Sequence, residues 1–231
     1  MFFFTVALKI AFKNANIRVL AGDVNSDWLL SKLTILYNQV EDYISKDRFF
    51  QVSYEPVQVG VRAPQIVKDM VYAASISGVG PMACVAGAIA EHLGMEILAE
   101  GSGEVIVENG GDIFLKLSSE KIVGIHAGES AFSDKLAFKV KPDQTPLGIA
   151  ASAGQVGPSV SLGEADAVVV VAKSTILADA AATAIANEVK GEDGVKKGLK
   201  KAGTIPGIQG VLIIKDDELA TWGKLPEIVR N

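Results

Sequence analysis

The chain has 231 residues, 49% hydrophobic and 21% charged, enough apolar surface for a sizeable core and too much for intrinsic disorder. Its 22 Lys plus Arg stand against 27 Asp plus Glu, a formal net charge of -5, which argues against a nucleic-acid surface. A single cysteine, Cys84, excludes an internal disulfide and a cysteine-cluster zinc site, and two histidines, His92 and His126, leave little for a multi-histidine metal centre.

In chain order, the apolar start Met1-Phe2-Phe3-Phe4 lacks a basic segment and reads as strand rather than signal peptide. Strands are expected from Phe4 to Ile10 and from Asn16 to Leu20, and Ser26 is the expected N-cap of a helix reaching about Ile44. Phe49 to Tyr54 reads as a short strand, and Pro64 opens a helix from Gln65 to Ser75. The uncharged run from Met70 to Ala90 is 21 residues long, but Gly78-Val79-Gly80-Pro81 interrupts it. A buried helix from about Pro81 to His92, with Gly94 as cap or kink, accounts for it better than a membrane span.

Short β runs follow. Glu104 to Glu108 and Asp112 to Leu117 flank Asn109-Gly110-Gly111, a hairpin signal, and Lys121 to His126, Lys135 to Val140 and Leu147 to Ala151 continue the pattern. The four consecutive valines Val168 to Val171 lie in an expected strand from Asp166 to Ala172, buried on both faces. Ser174 caps a helix to about Val189, a charged helix runs to Lys201, and strands are expected from Gly210 to Ile214 and Glu218 to Trp222. Helices and strands do not alternate singly, so the expected class is α+β with a largely antiparallel sheet, as one domain over 1–231 or two intimately packed halves.

No dinucleotide fingerprint, Walker sequence or nucleophile elbow is present. Three constellations remain. Asn109-Gly110-Gly111-Asp112 exposes backbone N–H groups to a ligand, although an ordinary hairpin turn is the simpler reading of these four residues alone. Asp179 and Thr183 share one face of an alanine-rich helix and offer half of a hard-cation site, although a first-turn acid and a back-bonded hydroxyl is the simpler reading of the pair taken alone. Ser152-Ala153-Gly154, leading to Gly157-Pro158-Ser159, lines a cleft or forms a tight loop. Cys84 reads as packing, and His92 and His126 as structural or surface residues.

In this order the three constellations resemble the ApbE family, the FAD:protein FMN transferases, whose pattern is Asn-x-Gly-Gly-Asp, then Thr-Ser-Gly, then a strand and an Asp-Ala-x-Ala-Thr helix. The likeness covers roughly residues 80 to 190, and Val79-Gly80-Pro81-Met82-Ala83-Cys84-Val85-Ala86-Gly87 is most similar to an uncharacterised branch. The resemblance implies the ApbE-like T-fold, helices packed on antiparallel sheet. It implies Mg2+ at Asp179 and Thr183, and FAD against Asn109, Gly110, Gly111 and Asp112, with Ser152 and Gly154 on the facing loop. It names no catalytic residue.

Two departures count against FMN transfer while leaving the cleft in place. Gln155 to Ala165 contains neither the His nor the Asp-Pro of the transferase loop, and Ala86-Gly87 replaces Ala-Lys-Gly without its Lys. The missing His removes a candidate general base. The lipoprotein cysteine of many bacterial members is absent too, in keeping with a cytoplasmic location. Implied partners are a flavin or other nucleotide and, for a transferase, a protein acceptor; membrane and nucleic acid are not implied, and an acidic chain with strand edges is compatible with a homodimer. The alternative is an accessory protein without transferase activity in anaerobic sulfur assimilation toward homocysteine, a role linked with that branch.

Overall fold

The computed structural model describes residues 6–13, 15–22, 24–153 and 163–231. Eight strands form one sheet: β1 (Val6–Phe12), β2 (Ala15–Ala21), β3 (Val105–Asn109), β4 (Asp112–Lys116), β7 (Leu147–Ser152), β8 (Ala167–Ala172), β9 (Ile208–Lys215) and β10 (Glu218–Gly223), in that spatial order. A second sheet has the order β11 (Glu227–Arg230), β6 (Leu136–Val140), β5 (Lys121–Ile125). Every pairing between these strands is antiparallel. The α+β class with helices on antiparallel sheet is therefore what the chain adopts.

Strand alternation explains the layers. In β8, Val168, Val170 and Ala172 join the apolar cluster shared with the helices, while Ala167, Val169 and Val171 join a second cluster with Ile125, Phe138 and Val140 of the small sheet. β9 divides the same way, Val211 and Ile213 on one side, Leu212 and Ile214 on the other. A strand buried on both faces needs no polar alternation, which is why the valine run is continuous.

The helices are α1 (Ser26–Lys46), α2 (Arg48–Val52), α3 (Gln65–Ser77), α4 (Val85–Ala99), α5 (Thr175–Glu188) and α6 (Gly194–Ala202). Leu29, Leu33, Leu36 and Val40 form the buried stripe of α1. Its N-cap is Asn25 rather than Ser26: the Asn25 side chain accepts from the N–H groups of Asp27 and Trp28. The expected strand from Phe49 to Tyr54 is instead α2. Asp47 caps it by accepting from Phe49 N–H, and Phe50 is buried edge-on against Tyr43, so a cap and a core contact outweigh the aromatic β preference.

A 3₁₀ turn, Pro81–Cys84, leads into α4. Gly94 neither caps nor ends α4, which continues to Ala99. A Cβ at Gly94 would stand 2.2 Å from the Phe114 ring, so glycine is there to let the helix lie on β4. The stretch Pro81–Ala99 is long and apolar enough to cross a membrane, yet its apolar residues pack on β3, β4 and α5. The terminal strand β11 was not foreseen; four residues with two apolar side chains carry little pattern.

Candidate functional site

Three strand ends supply the floor of the site. Asn109 continues the helix-facing alternation of Val105 and Val107, Asp112 that of Phe114, and Ser152 that of Ala150. All three are buried, with Asn109 and Asp112 paired across the β3–β4 hairpin and Ser152 paired with Val168. The turn between them has positive φ at both residues, +65° at Gly110 and +112° at Gly111, the conformation that a two-residue hairpin favours and glycine supplies. Gly110 is exposed with open space above its Cα, and Gly111 is half-buried with its face toward Ala151. Gly154 lies outside the described residues.

The roof is the Pro81–Cys84 turn with the first turn of α4, and one face of α5. Asp179 Oδ2 accepts from the Gly87 backbone N–H at 2.8 Å, and the Thr183 hydroxyl reaches the Ala83 carbonyl at 3.5 Å. Asp179 and Thr183 thus face the same segment, as their spacing on a helix requires. Asp179 is the fifth residue of α5, so the reading as a first-turn acid does not apply. Thr183 is directed across to another element rather than back along its own helix. The helices approach this closely because residue 87 is glycine: a Cβ there would be 2.7 Å from the Thr175 carbonyl oxygen.

Floor and roof are joined by Asn109, whose Nδ2 donates to the Ala86 carbonyl at 3.2 Å and whose side chain also hydrogen-bonds Tyr37 of α1. Asp112 and Asp179 lie within reach of each other's charge. Burial is the main cause that holds the Asp112 carboxyl well above the usual range; the negative Asp179 adds to it, and the Ala151 N–H opposes it. Burial pushes Asp179 up to about 7 against the opposing effect of the Gly87 N–H. Asp112 Oδ1 is buried and has no hydrogen-bond partner among the described residues.

Cys84 sits beside this pair. Its thiol is fully buried, donates toward the Pro81 and Met70 carbonyls, and is pushed well up by burial and then by the charges of Asp179 and Asp112. A thiol held protonated in this way is an inert packing group. His92 pairs with Asp69 at 3.0 Å, and His126 is an exposed neighbour of Asp134. Neither makes a contact with Asp112 or Asp179 among the described hydrogen bonds. The sequence reading did not foresee the part played by the Gly87 N–H or by the Ala83 and Ala86 carbonyls, because backbone groups leave no residue-type signal.

A family model described as AbpE bacteria matches residues 7–202. The chain belongs to that family. It is similar to the UPF0280 protein of Methanocaldococcus jannaschii, 42% identical over 230 residues, covering 96% of this chain and 93% of that one. A UPF0280 protein of Methanosarcina acetivorans is 41% identical over 192 residues, 83% of this chain and 76% of its own length. Among solved structures, the flavin transferase ApbE from Vibrio cholerae aligns with TM-score 0.65 at 15% identity, over 95% of this chain and 97% of that one. The apo flavinyl transferase ApbE of Pseudomonas stutzeri aligns with TM-score 0.61 at 16% identity, over 95% and 94%. At such identities the structural likeness establishes the fold, and this family member is built on the ApbE-like one.

Proposed function

We propose that this family member binds a flavin nucleotide, FAD in the first instance, together with Mg2+, in the cleft between the β3–β4 turn and α5, and that it does not transfer FMN to a protein. The observation that supports the reading is that Asp179, which faces the start of α4 together with Thr183, lies close enough for its charge to act on the buried Asp112, directly after the Gly110-Gly111 turn. Hard oxygen donors, an orphaned carboxylate oxygen and a half-buried Asp179 fit a magnesium ion. Asp179 and Thr183 would hold it, and the bound ion supplies positive charge to offset the diphosphate. The open space above Gly110 admits a ligand to the backbone without a Cβ in the way, and Ser152 and Gly154 would approach from the facing segment.

The case against transfer rests on sequence. The stretch from Gln155 to Ala165 has no His, and Ala86-Gly87 has no intervening Lys, so the proposed cleft holds acids without an evident base for a target hydroxyl. On this reading the protein works in the cytoplasm on a small-molecule nucleotide, with no protein acceptor. Equilibrium dialysis with FAD, ADP and Mg2+, followed by assays for AMP release and for covalent flavin on a threonine-bearing peptide, tests it. Magnesium-dependent FAD binding without covalent flavin is the expected result. Robust flavinylation, or no nucleotide binding at any magnesium concentration, overturns it.

A further inference from the structure

We propose that Asp112 is a direct ligand of the cation, so that one hard divalent ion is gripped by Asp112 from the sheet and Asp179 from α5 and ties the β3–β4 turn to the helix. This rests on the reading that the cleft takes a magnesium ion, and adds to it a ligand and a structural consequence.

Four observations lead there. Asp112 is only 6% exposed, and one of its carboxylate oxygens has no partner among the described residues. Such an oxygen is costly unless something occupies the space in front of it. Asp179 is close enough for its charge to act on Asp112, and its described hydrogen bond to Gly87 occupies one oxygen, Oδ2. None of the seven described ion pairs includes either acid, so among the described residues no Lys, Arg or His pairs with them. Finally, the long 3.5 Å contact between the Thr183 hydroxyl and the Ala83 carbonyl brings two neutral oxygens together beside α5, one turn along from Asp179.

The donor chemistry selects the class of ion. Among the described residues no three His, Cys, Asp or Glu side chains converge, and the nearby Cys84 thiol is turned to carbonyls. Two carboxylates supplemented by neutral oxygens suit Mg2+ or Mn2+ and offer nothing to a thiolate-seeking metal. Asp112 stands directly after the Gly110-Gly111 turn, so an ion bound through it also fixes the backbone that faces the nucleotide. Metal would thereby order one side of the ligand site before the nucleotide arrives.

The test uses the full chain with Mn2+ as a magnetic probe, its free fraction read by electron paramagnetic resonance, in wild type, Asp112→Asn, Asp112→Glu and Asp179→Asn. Wild type is expected to bind one ion per chain, and Asp112→Asn to weaken it on the order of tenfold or more, with Asp112→Glu recovering part of the loss. Thermal unfolding in EDTA should leave Asp112→Asn at least as stable as wild type, since the substitution removes a buried charge. In unsubstituted protein, the Asp112 carboxyl carbon signal should shift on Mg2+ titration, a readout that survives if a variant misfolds. Equal Mn2+ binding by wild type and Asp112→Asn, with loss only in Asp179→Asn, overturns this proposal and spares the proposed function. No Mn2+ binding by wild type, with or without ADP, overturns both.

Discussion

Two carboxylates join α4 to α5, and they do so differently. Glu91 of α4 accepts through Oε2 from the Ser174 hydroxyl at 2.9 Å and from Ile176 N–H at 3.1 Å, closing the N-terminus of α5. Asp179 of α5 returns the favour to Gly87 N–H in the first turn of α4. Each helix thus satisfies a donor that the other helix leaves unpaired at its start, and each acid meets the positive end of a helix dipole. At the Glu91 end a hydroxyl completes the arrangement, and among the described hydrogen bonds no second acid takes part. The Asp179 end faces Asp112 with its unpartnered oxygen. On the proposed reading, similar junctions are structural at one end and ligand-binding at the other, and what separates them is the second acid supplied by the sheet.

Substitutions at the two junctions should separate these roles. The largest effect is expected at Gly87→Ala, where a methyl group would meet the Thr175 carbonyl oxygen at 2.7 Å. Overpacking against backbone should cost about 2–3 kcal/mol in denaturant unfolding and displace Asp179, so metal binding should fall with stability. Glu91→Ala should cost roughly 2 kcal/mol through the lost charge-assisted bonds, while Mn2+ affinity stays within error of wild type. Ser174→Ala, which removes the α5 N-cap to Leu177 N–H, should cost about 1 kcal/mol and likewise spare the metal.

A pH slope probes the acid pair separately. Asp179 goes from an ordinary value of 3.8 to about 7 on folding, and Asp112 moves in the same direction. Between those limits the folded state holds more protons than the unfolded one, so this pair makes metal-free protein less stable as pH rises from near 4 to 7. Urea unfolding in EDTA at pH 5.5 and 7.5, compared with Asp179→Asn, reads the difference; the variant should show the shallower slope.

Much of the fold was legible because its signals are local. The Val168–Val171 run, the Ser174 cap, the Asn109-Gly110-Gly111 turn and the Asp179–Thr183 spacing each depend on a few neighbouring residues. Where the reading failed, the deciding contact was elsewhere. Phe49 and Phe50 look like strand residues, and only the Asp47 cap and the packing of Phe50 on Tyr43 make them helical. Gly94 looks like a terminator until the Phe114 ring fills the space a side chain would need. Within the candidate site, the residues themselves were visible, but the approach of Asp112 to Asp179 joins positions 67 apart in the chain, and no spacing rule announces it.

The most direct test of the account is calorimetry of FAD binding to wild type and Asp179→Ala, each with and without Mg2+. The account predicts that magnesium raises wild-type affinity for FAD, and that FAD by linkage raises affinity for magnesium by the same factor. In Asp179→Ala that coupling should vanish while the folded circular dichroism spectrum is retained. FAD affinity that is indifferent to magnesium in wild type, or a coupling that persists undiminished in Asp179→Ala, would contradict it.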